Sequence, residues 1–103
     1  MSTLKIRTKQ QNDLTLVRVL MDHPMETGRR QDEATGEIVP AHYITDVKIE
    51  HNGQLLARGE LSTAVSRNPY LSVRFRGGKA GDRVRVSWID NLGRQDSMEA
   101  IID

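Results

Sequence analysis

Three histidines, His23, His42 and His51, are the side chains of this 103-residue chain that ordinarily titrate near neutrality, which makes them the candidates for proton transfer or metal ligation. Their spacing matches no ligand pair of the kind found on one helix face or on adjacent strands. Asp22 and Glu26 flank His23, a histidine–carboxylate grouping that could hold a divalent ion or serve as a base, but without a recognisable ligand pair the plainer reading is a polar loop. His51 precedes an Asn-Gly turn and reads as an exposed hairpin residue. No serine occupies a Gly-x-Ser-x-Gly elbow. Gly77-Gly78, followed by Lys79 and Gly81, lacks the spacing of a phosphate-cradling loop and reads as a glycine-rich turn. Because the chain has no cysteine, it can form no disulfide, offer no thiolate nucleophile or thiolate metal ligand, and carry no persulfide. No nucleophile, base and orienting group assemble, so no catalytic residue, metal site or cofactor is expected.

The elements that must position these residues are strands. Apolar residues recur with period two almost everywhere, the pattern of strands with one buried face. Leu4 and Ile6 alternate with Lys5 and Arg7. Leu14 to Met21 is apolar on both faces, which predicts a central strand. Val47 and Ile49 lead to Asn52-Gly53, a pair suited to the two positive φ angles of a type I′ turn. The return strand, about Gln54 to Leu61, has an ambiguous register because of the Leu55-Leu56 doublet. Leu71, Val73 and Phe75, then Val84, Val86 and Trp88, predict a hairpin closed by Gly77 to Asp82. Asp90 to Gly93 makes the next turn, and Met98, Ala100 and Ile102 line the last strand. About seven strands at this spacing predict an all-β, immunoglobulin-like sandwich forming a single domain over residues 1–103, with a small open barrel as the competing architecture. Trp88 and Phe75 are expected to anchor its core. Asp22 to Pro40 is long and polar for a connection; Thr35-Gly36 could close a small hairpin whose return arm is Glu37 to Val39, making the segment a projecting ribbon.

Fifteen Lys and Arg against fourteen Asp and Glu leave a net charge of +1, which names no partner. Their distribution is uneven. Between Arg67 and Arg94 the basic residues are Arg67, Arg74, Arg76, Lys79, Arg83, Arg85 and Arg94, against Asp82 and Asp90. In the predicted hairpin Arg74, Arg76, Arg83 and Arg85 share the outer face as a basic patch, open to nucleic acid, an anionic ligand or an acidic partner. Phe75 and Trp88 fall on the opposite face, so the patch lacks the aromatics that stack bases, Tyr70 excepted. No apolar run is long enough to span a membrane. The first ten residues hold Lys5, Arg7 and Lys9 but no apolar stretch, and so do not read as a secretory signal.

Two motifs carry a family resemblance. His23-Pro24-Met25-Glu26-Thr27-Gly28, after the second strand, and Asn68-Pro69-Tyr70-Leu71, before the arginine-rich segment, resemble the Z subunit of the Sox sulfur-oxidation carrier complex, the SoxZ family. The polar turn around Gly36, the Asn52-Gly53 hairpin, Ala64-Val65-Ser66 and Trp88 in the penultimate strand agree, so the likeness covers nearly the whole chain. The resemblance implies an immunoglobulin-like, non-catalytic subunit without cofactor. Its partner would be the Y subunit, whose C-terminal arm carries thiosulfate-derived intermediates on a cysteine between the other thiosulfate-oxidation enzymes. Neither nucleic acid nor membrane is an expected partner, and the isolated chain is expected to be able to self-associate. The resemblance also implies a periplasmic location reached by export with the signal-bearing partner. Partner contact is assigned to His23, Pro24, Met25, Glu26, Tyr43, Asn68, Pro69 and Tyr70, with Arg74, Arg76, Arg83 and Arg85 as an electrostatic surface.

Overall fold

Alternation of apolar and polar side chains produces seven strands: β1 (Leu4–Gln11), β2 (Leu14–Met21), β3 (Ile44–His51), β4 (Gln54–Glu60), β5 (Tyr70–Arg76), β6 (Arg83–Asp90) and β7 (Gln95–Ile101). The computed structural model describes residues 2–103; Met1, the first residue of the expected domain, lies outside the described residues. All pairings are antiparallel, in a three-stranded sheet ordered β1-β2-β5 and a four-stranded sheet ordered β4-β3-β6-β7. This is the expected immunoglobulin-like sandwich. No helix among the described residues is long and apolar enough to cross a membrane.

The core lies between the sheets, where Val17, Val19 and Met21 of β2 oppose Val47, Ile49, Val84, Val86 and Trp88, with Leu4 and Ile102 closing its margins. The second strand is central, as its two-faced apolar run predicts. Of the two expected aromatic anchors, Trp88 is buried and donates its Nε1–H to Thr3 Oγ1 at 3.0 Å, whereas Phe75 is only partly buried. Asn52 and Gly53 have φ of 48° and 84°, the conformation a type I′ turn requires. Beyond them a bulge settles the Leu55-Leu56 register: Ile49 pairs with Ala57 and Glu50 with Leu55, leaving Leu56 as the extra residue.

The predicted hairpin between the fifth and sixth strands does not form. β5 hydrogen-bonds to β2, and β6 lies between β3 and β7, so residues 77–82 arch from one sheet to the other. Alternation records which face of a strand is buried, not which strand it pairs with, and an arch and a hairpin share the same pattern. The arch is held from the β1–β2 end, where Thr15 Oγ1 donates to Gly77 O at 2.7 Å, Gln10 Nε2 to Gly78 O at 2.6 Å and Gly77 N to Asp13 O at 2.8 Å. In consequence Arg74 and Arg76 lie on the outer face of one sheet, and Arg83 and Arg85 on the outer face of the other. The four-arginine patch is therefore not a single surface.

At one edge β1 and β7 lie side by side, joined where Asp96 Oδ2 accepts the backbone N–H of Thr3 at 2.8 Å and its hydroxyl at 2.7 Å. These bonds hold the Asp96 carboxyl below its ordinary range, the Thr3 N–H contributing most. At the other edge β4 and β5 stay apart, and Val47, Ile49, Leu61, Leu71 and Val73 line an apolar cleft between the sheets.

Two glycines distinguish backbone strain from crowding. Gly53 has φ of +84° with open space around it, whereas a Cβ on Gly78, at φ of +83°, would stand 2.6 Å from Thr15 Oγ1 and 3.3 Å from the Phe75 ring. Gly53→Ala is expected to cost about 1 kcal/mol, the left-handed penalty alone. Gly78→Ala should cost roughly 1–3 kcal/mol more, because Thr15 is fully buried and cannot yield. Urea midpoints of the two variants check the difference.

Candidate functional site

The two motifs singled out in the sequence meet at one end of the sandwich. Where the chain leaves β2, Met21 N donates to Pro69 O at 2.9 Å, His23 N to Asn68 Oδ1 at 3.1 Å, and Asn68 N to His23 O at 3.0 Å. Asn68 has φ of 56°, a left-handed conformation that asparagine tolerates and that presents its side chain to the His23 backbone. Next to this junction the ribbon begins. Glu26 and His42 bridge at its base and Gln31 and Ile38 near its tip, and Asp32 Oδ1 accepts the N–H groups of Ala34 and Thr35 in the turn. The segment is thus the projecting ribbon that the turn signal at Thr35-Gly36 predicts.

Beneath the ribbon base lies a buried cluster. The side chain of Asp90 is 0% exposed; its Oδ2 is 3.1 Å from His23 Nε2 and 2.7 Å from His42 Nε2. Its other oxygen accepts Leu92 N at 3.0 Å and Arg94 N at 2.9 Å. The His23 ring also stands edge-on to His42, with centroids 4.5 Å apart, and to Trp88 at 5.2 Å. Burial pushes the Asp90 carboxyl up, but the hydrogen bonds from His23, His42 and the Arg94 and Leu92 backbones together outweigh it and hold the group below its ordinary value.

His23, His42 and Asp90 are also the group of potential metal ligands among the described residues, with ligand atoms within 4.8 Å of one another. The hydrogen bonding of His23 argues against that use. Its Nδ1 accepts the Met25 N–H at 3.1 Å, so in the neutral ring the proton resides on Nε2, which donates to Asp90. A metal at Nε2 would require the opposite tautomer and the loss of the Met25 bond. The cluster is wired as a hydrogen-bond latch that ties the β2 exit, the ribbon base and the β6–β7 turn together. A second clamp sits at the far end of β6, where His51 Nε2 is 2.8 Å from Asp82 Oδ2. His51 is therefore not a freely exposed hairpin residue: it is half-buried, its ring 4.9 Å from that of Phe75, and its hydrogen bond is the main cause that lowers the Asp82 pKa.

Among the residues assigned to partner contact, His23, Met25 and Pro69 are buried, so in this fold they position the loops instead of presenting themselves. Met25, at φ of 48°, plugs the sandwich end, with its sulfur accepting the Ile44 N–H at 3.3 Å. Tyr43 packs half-buried against the core while its backbone exchanges hydrogen bonds with Asn91. Glu26 is held by Arg30 at 2.9 Å, and that hydrogen bond is the chief cause of its lowered pKa. Pro24, Asn68 and Tyr70 are exposed, as are Arg74, Arg76, Arg83 and Arg85. Reading the histidines by their sequence neighbours missed the Asp90 pairing, because the partners are 67 and 48 residues apart. One signal was available: Val84, Val86 and Trp88 alternate inward, and the next inward position is Asp90.

Asp90→Ala should remove roughly 3–5 kcal/mol, since it strands the buried His23 donor and two backbone N–H groups. A carboxyl with a lowered folded-state pKa contributes stability that is full above its unfolded value, here 3.8, and is lost as pH falls below that value towards the folded one. Urea unfolding of the wild type should therefore weaken with acidification in that window, and Asp90→Ala should show a shallower decline.

Comparisons with known proteins agree with the fold. A hypothetical protein, PH1083, from Pyrococcus horikoshii OT3 superposes with a TM-score of 0.69 at 18% identity, covering 98% of this chain and 88% of its own. A superoxide reductase (neelaredoxin) from Archaeoglobus fulgidus superposes with a TM-score of 0.67 at 14% identity, covering 99% and 89%. At these identities the likeness is one of fold alone. No curated protein matches the chain in sequence. The family described as sulphur oxidation protein SoxZ, in contrast, matches residues 4–100, which take in β1 to β6, all of β7 but its last residue, both loop motifs and the latch that joins them; the chain belongs to the SoxZ family of the Sox sulfur-oxidation system.

Proposed function

We propose that this chain is the non-catalytic scaffold half of a sulfur carrier, paired with a Y subunit whose C-terminal cysteine arm bears thiosulfate-derived intermediates between enzymes. The observation that supports this reading is the family match over residues 4–100 in a chain without a single cysteine. Such a chain can hold a carrier but, without a thiolate, cannot itself form the sulfur–sulfur linkage that carriage on a cysteine needs. The latch fits the same division of labour, since its buried polar atoms are spent on positioning loops. Pro24 and Asn68, exposed on backbones fixed by His23 and Asp90, offer a preorganised surface that loses little entropy on docking. The complex works in the periplasm, to which the folded pair travels on the partner's signal.

Co-production with a Y subunit should yield a stable one-to-one complex in native mass spectrometry. Sulfur adducts should then appear on the Y subunit and never on this chain. Failure to associate with any Y subunit would overturn the assignment.

A further inference from the structure

The outer face of the three-stranded sheet carries a charge pattern that neither the fold nor the carrier reading uses. Register places Lys5, Arg7 and Lys9 of β1, Arg18 of β2, and Arg74 and Arg76 of β5 on this face, all exposed and with no carboxylate among them. In a chain of net charge +1 the remaining residues are therefore net acidic. Arg7 and Arg18 stand directly opposite one another, a like-charge pairing that weakens a sheet. Asp13, in the β1–β2 turn, reaches Arg76 at 3.2 Å, but both groups are largely exposed, and among the described residues the other five cations make no such pair.

Along the middle strand, on either side of Arg18, the outward side chains are apolar. Leu14 and Leu16 are half-buried, Leu20 is 40% exposed, and Tyr70, beside Leu20 in register, is 60% exposed. The outer face of the other sheet serves as an internal contrast: Asp46 pairs with Arg58 at 3.2 Å and Arg83 approaches Glu99 at 4.0 Å, so signs are mixed as on an ordinary solvated surface. Apolar side chains set among charges of one sign, with Arg18 between them, combine burial and steering as a protein interface does. Apart from Tyr70, the apolar side chains here are leucines, which offer bases no stacking platform; one aromatic against three leucines counts against a nucleic acid. Two copies meeting face to face would bring six cations against six, which counts against self-association here.

We infer that this face is a docking surface for an acidic protein surface whose carboxylates surround exposed apolar side chains. The face is only three strands wide, roughly 10–15 Å, so the contact is small and transient, steered by charge in its association. The inference rests on this chain's own residues and stands whether or not the Y subunit is its partner.

The test is an NMR titration of the amide-labelled chain with a peptide alternating Asp and Leu. An alternating Ser-Leu peptide and a thymidine oligonucleotide of matched length are the comparisons. The Asp-Leu peptide should shift amides of β1, β2 and β5, with affinity falling about tenfold or more from low to high salt. Arg7→Glu should weaken binding about tenfold while leaving the fold as stable or more so, because it sets an opposite charge against Arg18. Arg85→Glu, on the other sheet, should leave binding unchanged. Shifts confined to other surfaces, equal binding by the Ser-Leu peptide, tighter binding by the oligonucleotide, or a dimer in sedimentation that Arg7→Glu abolishes would each overturn the inference.

Discussion

One buried carboxylate holds the loop-bearing end of this sandwich. Desolvating Asp90 would be costly without partners, and the fold supplies four donors from three segments: His23 after β2, His42 before β3, and the backbones of Leu92 and Arg94 in the β6–β7 turn. The dependence runs both ways. The histidines need an acceptor inside an otherwise apolar end, and the carboxylate needs all its donors to remain charged there. No buried side-chain nitrogen or oxygen is left unpaired among the described residues, so the latch is complete as it stands. His23 extends it further by accepting the Met25 N–H, which fixes the turn that sends Met25 into the core.

The strands, the type I′ turn at Asn52-Gly53, the central place of β2 and the ribbon from Asp22 to Pro40 were all legible in the sequence, because each follows from periodicity or from residue-specific φ preference. Sheet membership was not. Leu71 to Phe75 and Val84 to Trp88 alternate as a hairpin would, and the fact that they face each other across the core instead of sharing a sheet is decided by the bonds from Thr15, Gln10 and Asp13 to the arch. That single difference moved Arg74 and Arg76 away from Arg83 and Arg85 and joined them to Lys5, Arg7, Lys9 and Arg18, which no reading along the chain would group.

The latch was illegible for a related reason. Histidines are read by their sequence neighbours, and Asp22 and Glu26 are nearer in number than Asp90, yet the side chain of Asp22 contributes nothing to the cluster. The inward phase of β6, carried two residues past Trp88, would have marked Asp90 as buried and therefore in need of partners. His51 and Asp82 repeat the lesson at the opposite end of the same strand, where a residue that looks like an exposed turn neighbour is clamped by a carboxylate 31 residues away.

The closure of β1 against β7 also bears on how the chain is made. Thr3 and Asp96 are 93 residues apart, and their bonds complete an edge of the sandwich that no earlier segment can complete. Contacts of such sequence separation form late and slow folding. During synthesis the β1–β2 and β3–β4 hairpins can form as they emerge, but the sandwich cannot shut until β7 has left the ribosome. Any protein that recognises the closed body therefore meets a chain whose seventh strand is already in place.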